Sequence, residues 1–139
     1  MEITAAIPAQ QPDGTIELAA VNATCHGHQI RYESGPERDN IGFWLNPSEW
    51  CDWTVQVTKP GKFAVSAEIA ATGSGSFHIV AGDQTLPAKA PNTGNYGRFQ
   101  EVDLGEIKID QTGNVVVAVK AVADGWQPFN LKSLTLTPR

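Results

Sequence analysis

The sequence predicts an all-β domain of two packed antiparallel sheets, a β-sandwich, and three observations carry that expectation. Apolar residues recur with a period of two, as at Phe63, Val65, Ala67 and Ile69, and no segment keeps the period of an amphipathic helix. The 13 glycines and 9 prolines fall mostly between the apolar runs, where turns belong. About ten short strands fit along the chain at a spacing that suits two stacked sheets.

Thr15 to Ala23 is the first strand and His28 to Glu33 a short second one. Ile41 to Leu45 follows, then Trp50 to Val57, whose Cys51, Trp53, Val55 and Val57 share one face while Trp50 points to the other. Pro60-Gly61 closes that strand: Pro presets the first central residue of a turn and Gly supplies the positive φ of the second. Lys62 to Ala71 comes next, with Ala64, Ser66 and Glu68 opposite its apolar face. Gly73-Ser74-Gly75 and Gly82-Asp83 turn the chain into Ser76 to Ala81 and then Gln84 to Lys89. A loop with Pro91-Asn92-Thr93-Gly94-Asn95-Tyr96 leads to Phe99 to Leu104, and Ile107 to Asp110 reads as a separate strand. Asn114 to Val122, a loop over Ala123 to Pro128, and Phe129 to Thr137 complete the order. No internal repeat or second domain is visible. Residues 1–14, with Ala5-Ala6-Ile7-Pro8 and Gln11-Pro12, read as a linker or boundary segment, and 15–139 as one module.

Hydrophobic residues make up 41% of the chain and charged ones 18%, the balance of a folded domain with its own core. A net charge of −5 argues against broad contact with a nucleic-acid backbone. No apolar run approaches the roughly 20 residues that span a bilayer, and no signal-peptide pattern opens the chain. The expectation is a module of a longer exported protein, secreted or at the cell surface, with no nucleic-acid and no membrane partner. Cys25 and Cys51 permit one disulfide, and the sequence leaves open whether they meet or stay free. Cys25-His26-Gly27-His28 offers ligands two apart on one side of a strand, but His78 is the only other histidine. Zinc normally takes three or four protein ligands, so no metal site is expected.

Four tryptophans, Trp44, Trp50, Trp53 and Trp126, exceed what a small sandwich core requires. Rings near loops rich in Asn, Arg and Asp are what a sugar site uses. The CH face of a pyranose stacks on the ring, and its hydroxyls bond a few fixed polar groups. Trp53 shares the Val55 and Val57 face and is expected in the core. Trp44, between Gly42 and Asn46-Pro47, is open to either a platform or a packing role.

Five motifs occur in order: Ile16-Glu17-Leu18, Asn40-Ile41-Gly42-Phe43-Trp44, Pro60-Gly61-Lys62-Phe63-Ala64-Val65, Thr93-Gly94-Asn95-Tyr96 and Phe129-Asn130-Leu131-Lys132-Ser133-Leu134. Over Ile16 to Pro138 the chain thereby resembles the β-sandwich carbohydrate-binding modules of families six and thirty-five and their relatives. That resemblance implies a jelly-roll, galactose-binding-like fold and a non-catalytic role beside a bacterial polysaccharide-degrading enzyme or sulfatase. It also implies a sugar site at the loop end, whose aromatic pair and Asn map onto Tyr32, Tyr96 and Asn130. Trp126 in the final loop, and Trp44, are candidates for further rings. The resemblance further implies a calcium held by two acids of the first strand and an Asp near the last. Here Ala19 and Lys132 stand at two of those positions beside Glu17, and an ammonium cannot ligate calcium. Lys132 is therefore expected to pair with Glu17, and no cofactor is expected.

Arg31, Glu33, Glu37, Arg38, Asp39 and Asn40 form a charged segment beside Tyr32. A solvated loop is one reading of it. The other is a polar rim for a sugar, with Arg31, Arg38 or Arg98 reaching a carboxylate or sulfate through a fork of donors. Three arginines near candidate rings in an acidic chain favour an acidic or sulfated polysaccharide, unless they pair with Glu33, Glu37 and Glu101. Glu33, Asp39, Asp52, Glu68 and Asp124 form no recognisable catalytic pair, and no nucleophile-elbow motif is present, so no enzyme is expected. The expected partners are a polysaccharide or oligosaccharide and the catalytic domain of a parent enzyme. The alternative is a structural or adhesive sandwich without sugar affinity.

Overall fold

The computed structural model describes residues 7–36 and 38–139, and in them eleven strands form two antiparallel sheets with no α-helix. One sheet runs β3 (Arg31–Glu33), β4 (Asn40–Gly42), β11 (Phe129–Pro138), β6 (Gly61–Ala71) and β9 (Gln100–Ile109). β1 (Ile16–Ala19) also pairs with β11, sharing with β4 the side away from β6. The other sheet runs β2 (Thr24–His26), β5 (Trp50–Val57), β10 (Gly113–Ala121), β7 (Ser76–Ala81) and β8 (Gln84–Lys89). Their inner faces enclose one core, in which Trp44, Trp53, Phe63, Phe77 and Phe129 are the largest fully buried side chains.

The strand expected over Thr15 to Ala23 is two strands in different sheets. After Ala19 the chain turns through a short 3-10 segment, Ala20–Asn22, and crosses to enter the second sheet as β2. Trp53 pins this crossing from beneath, its buried indole donating Nε1–H to the Ala19 carbonyl at 2.8 Å.

Two expected strands, Phe99 to Leu104 and Ile107 to Asp110, are one. Their apolar residues change parity between Leu104 and Ile107, which an unbroken strand cannot present to one face. A β-bulge restores the face: Val65 lies opposite Gly105 and Ser66 opposite Asp103, leaving Leu104 as the extra residue. Gly105 takes φ +127° there, a conformation that Gly reaches without a Cβ clash. β11 repeats the device at Lys132, so that Phe129 and Leu131 before it and Leu134 and Leu136 after it are all buried.

Lys132 does not pair with Glu17. Its Nζ sits 4.4 Å from the centre of the Phe99 ring, and no ion pair among the described residues joins it to Glu17. Register explains the difference: Glu17 lies opposite Thr135, further along β11 and on its β1 side. Residues 8–14, assigned from composition to a linker, lie along the sandwich. Gln56 N–H donates to the Pro8 carbonyl, and the buried Gln10 amide joins the Gly14 and Lys59 carbonyls to the Thr58 and Lys59 N–H groups. Residues 1–6 and Glu37, named in the readings above, fall outside the described residues.

Candidate functional site

The loops that follow β4, β8 and β10 meet at one end of the sandwich, and together with Glu33 and the first residues of β11 they line a cleft of about 310 Å³. Its exposed rings are Phe43 and Tyr96, 45% and 43% open to solvent, and exposed Leu45 and half-buried Pro128 extend its apolar surface. Phe43 stands at φ +54°, a left-handed conformation that a bulky residue adopts only when its surroundings impose it. Across this residue the chain leaves Phe43 outside and sends Trp44 into the core.

Trp44 donates its Nε1–H to the Glu49 carbonyl at 2.8 Å. Trp126 and Phe129 pack against it as tilted rings, with centroids 5.1 and 5.3 Å away, forming an aromatic floor beneath the cleft. The Tyr96 loop is braced from within. Thr93 Oγ1 accepts from Ala71 N–H at 3.1 Å and donates to the Asn95 carbonyl at 2.9 Å. Asn92 Oδ1 accepts from Gly94 N–H, and Asn130 Nδ2 donates to the Tyr96 carbonyl, both at 2.9 Å.

Of the residues expected at a site, Trp44, Tyr96 and Asn130 line this cleft. Trp126 supports it from behind, with its indole nitrogen buried and unpartnered among the described residues. Tyr32 is elsewhere. It lies opposite Ile41 in mid-strand, so parity turns it away from the side taken by Arg31 and Glu33. Its hydroxyl donates to Asp39 Oδ1, and that hydrogen bond, with burial and the Asp39 charge, raises the phenol above its ordinary pKa. Phe43, within the Asn40-to-Trp44 motif, is the exposed ring found instead. The adjacent Gly42 is visible in the sequence, whereas the positive φ of Phe43 is not.

None of the three arginines lines the cleft itself. Arg31 lays its guanidinium 3.9 Å from the Phe43 ring centre. Arg38 pairs with Glu33 at 3.5 Å, and Asn40 Nδ2 donates to the same carboxylate at 3.2 Å. Arg98 lines a separate open depression with Thr93, Gly94, Asn95 and Gly97. Among the described residues, Glu33 is the one charged side chain lining the cleft.

Behind the cleft, Glu49 is buried with its carboxylate held by the successive N–H groups of His28, Gln29 and Ile30. Gly27 stands at φ +152°, and a Cβ there would fall 2.0 Å from Glu49 Oε2. Burial pushes the Glu49 carboxyl up, but the three amides and the nearby His28 outweigh it and hold the group below its usual range. His26, considered as a metal ligand, bonds Asp52 Oδ2 through Nε2 at 2.9 Å and stacks on Trp50 at 4.5 Å.

The model of a family described as a domain of unknown function, DUF5077, matches residues 19–138. No curated protein matches the chain. Solved structures share its fold. The C-terminal CBM6 of LamC, a marine laminarinase from Zobellia galactanivorans, aligns with a TM-score of 0.72 and 17% identity over 88% of this chain and 98% of that one. A family 35 carbohydrate-binding module from Clostridium thermocellum gives 0.72 and 16% over 90% and 98%. CsCBM6-3 from Clostridium stercorarium, solved with cellobiose, gives 0.68 and 12% over 96% and 98%. The fold is that of carbohydrate-binding modules of families six and thirty-five.

Proposed function

We propose that this chain, which belongs to the DUF5077 family, is a non-catalytic carbohydrate-binding module whose loop-end cleft holds a glycan between Phe43 and Tyr96. One observation carries the reading: two exposed rings line one preformed cleft at the end of a sandwich of this fold. Exposed aromatic side chains cost hydration unless something covers them, and the CH face of a pyranose covers them well. Glu33 supplies acceptors for sugar hydroxyls, and the Asn130 amide adds donor and acceptor capacity beside Tyr96. A glycosidase would need two carboxylates flanking the scissile bond, and Glu33 is the lone carboxylate lining the cleft among the described residues.

The charge of the cleft favours a neutral glycan. Glu33 and Arg38 neutralise one another as an ion pair, so the arginine expected to attract an acidic sugar offers it no free charge at the point of contact. Arg31 against the Phe43 ring and Arg98 in its separate depression are the grounds for keeping acidic and sulfated glycans among the candidates. As an accessory module the domain would hold an attached catalytic domain on an extracellular polysaccharide, where a modest affinity per module suffices by raising local concentration. No helix among the described residues is long and apolar enough to cross a membrane.

Native affinity electrophoresis against a panel of neutral, acidic and sulfated polysaccharides tests this reading. Retardation by a neutral glycan, insensitive to salt, is the expected result. Salt-sensitive retardation by acidic glycans alone would move the ligand to the arginines. No retardation by any member would favour an adhesive or structural sandwich.

A further inference from the structure

Cys25 and Cys51 face each other across two strands. β2 pairs with β5 in the register Thr24 to Asp52, Cys25 to Cys51 and His26 to Trp50. Directly opposed residues of an antiparallel pair point to the same face, with Cβ atoms about 4.5–5.5 Å apart. A disulfide asks for about 3.5–4.5 Å, so closure requires an approach of about 1 Å. β2 is suited to that movement, being three residues long at the edge of its sheet and, among the described residues, paired to β5 alone. Both thiols are free in this structure. Cys51 is fully buried, whereas Cys25 is partly exposed at the edge.

We propose that Cys25 and Cys51 form a redox site that small-molecule disulfides close into a cross-strand bond, fastening β2 to β5. The difference in burial sets the order of events. The Cys25 thiolate attacks a sulfur of the oxidant, a mixed disulfide forms, and one small thiolate leaves. The Cys51 thiolate then attacks the Cys25 sulfur of that mixed disulfide and expels the second thiolate. The two protons lost by the cysteines end on the two small thiols, and the oxidant is reduced by the two electrons that the new bond releases.

Burial, together with the Asp52 carboxylate, pushes the Cys25 thiol up to about 11, against a small opposing pull from the Tyr32 N–H. Burial, Cys25 and Asp52 hold Cys51 well above its ordinary value. Closure is therefore slow near neutrality and faster in alkali. Once closed, the bond encloses β3, β4 and the Gly27-to-Ile30 turn that grips Glu49, so it stiffens the segment under the cleft wall.

The test exposes the whole chain to oxidised glutathione at about pH 7 and about pH 9, then unfolds it in denaturant and alkylates every remaining thiol with N-ethylmaleimide. The expected product is a monomer lighter by two hydrogen atoms that takes no maleimide. Its non-reducing peptide map joins the Cys25 and Cys51 peptides, and its melting temperature is raised by roughly 5–15 °C over the reduced form. The Cys51→Ala variant should stop at a glutathione adduct on Cys25, and Cys25→Ser should remain unmodified. Two persistent maleimide adducts at both pH values, a stable adduct in the unaltered chain, or a linked dimer would each overturn the proposal. So would a Cys25→Ser variant that reacts at Cys51 as fast as the parent, or an internal bond that leaves the melting temperature unchanged.

Discussion

Replacing Trp53 by Ala removes an indole that is 1% exposed and sits where the chain crosses between sheets. Truncating a buried aromatic costs about 3–5 kcal/mol through lost transfer energy and the cavity left behind. The Ala19 carbonyl, which accepts Nε1–H at 2.8 Å, also loses its partner, at about 1–3 kcal/mol. These contributions overlap because the cavity lets the carbonyl relax, so the expected loss is about 5 kcal/mol. For a chain of 139 residues this lowers the melting temperature by roughly 15–25 °C. Trp53→Phe separates the two effects: it keeps a ring in the core and removes the donor, and should cost about 1–3 kcal/mol. Urea denaturation of the three proteins, fitted with a common slope, gives the numbers. A Trp53→Ala loss below about 1 kcal/mol would refute the core assignment. A Trp53→Phe variant as stable as the parent would refute the pinning role of the Nε1 bond.

Glu49→Gln should be less stable than the parent at neutral pH. Since the folded carboxyl titrates below the ordinary 4.5, its stabilisation is complete above that value and is lost as pH falls through the folded one. Thermal melts from about pH 7 to about pH 2 should converge, and a constant gap throughout would contradict the charge argument. EDTA should leave the melting temperature unchanged, because Lys132 stands where the resemblance implies an acidic calcium ligand; a drop restored by calcium would show a bound ion. Lys132→Met should cost less than about 1 kcal/mol, the scale of an exposed cation–π contact. Asn130→Ala should weaken glycan binding while changing stability by about 1 kcal/mol, since it frees the Tyr96 loop from one hydrogen bond.

Three strands, Trp50–Val57, Ser76–Ala81 and Gln84–Lys89, stand where the sequence puts them. Each alternates cleanly or is bounded by Gly turns, and local pattern suffices for such segments. What the pattern missed depends on pairing with another strand. The bulges at Leu104 and Lys132 are visible in sequence only as a change of parity, which two strands explain as well as one. The crossing at Ala20–Asn22 carries no Gly or Pro to announce it. In the cleft, Tyr96, Asn130 and Trp44 were legible because each sits at a loop or strand start that the fold gathers at one end. Phe43 in place of Tyr32 was not, because strand parity and a positive φ decide which ring faces out. The pairing of Arg38 with Glu33 needed the β3–β4 register, which composition does not contain.

The most direct test of the cleft as a sugar site is calorimetric titration of an oligosaccharide from the polysaccharide that retards the chain. Phe43→Ala and Tyr96→Ala would be compared with the parent and with Arg98→Ala. Both aromatic variants should retain the parent's melting temperature within about 3 °C, because each ring is nearly half exposed. Each should weaken binding about tenfold or more, the loss of one stacking platform, while Arg98→Ala binds as the parent does. Parent-like affinity in both aromatic variants, with the fold intact, would contradict the account.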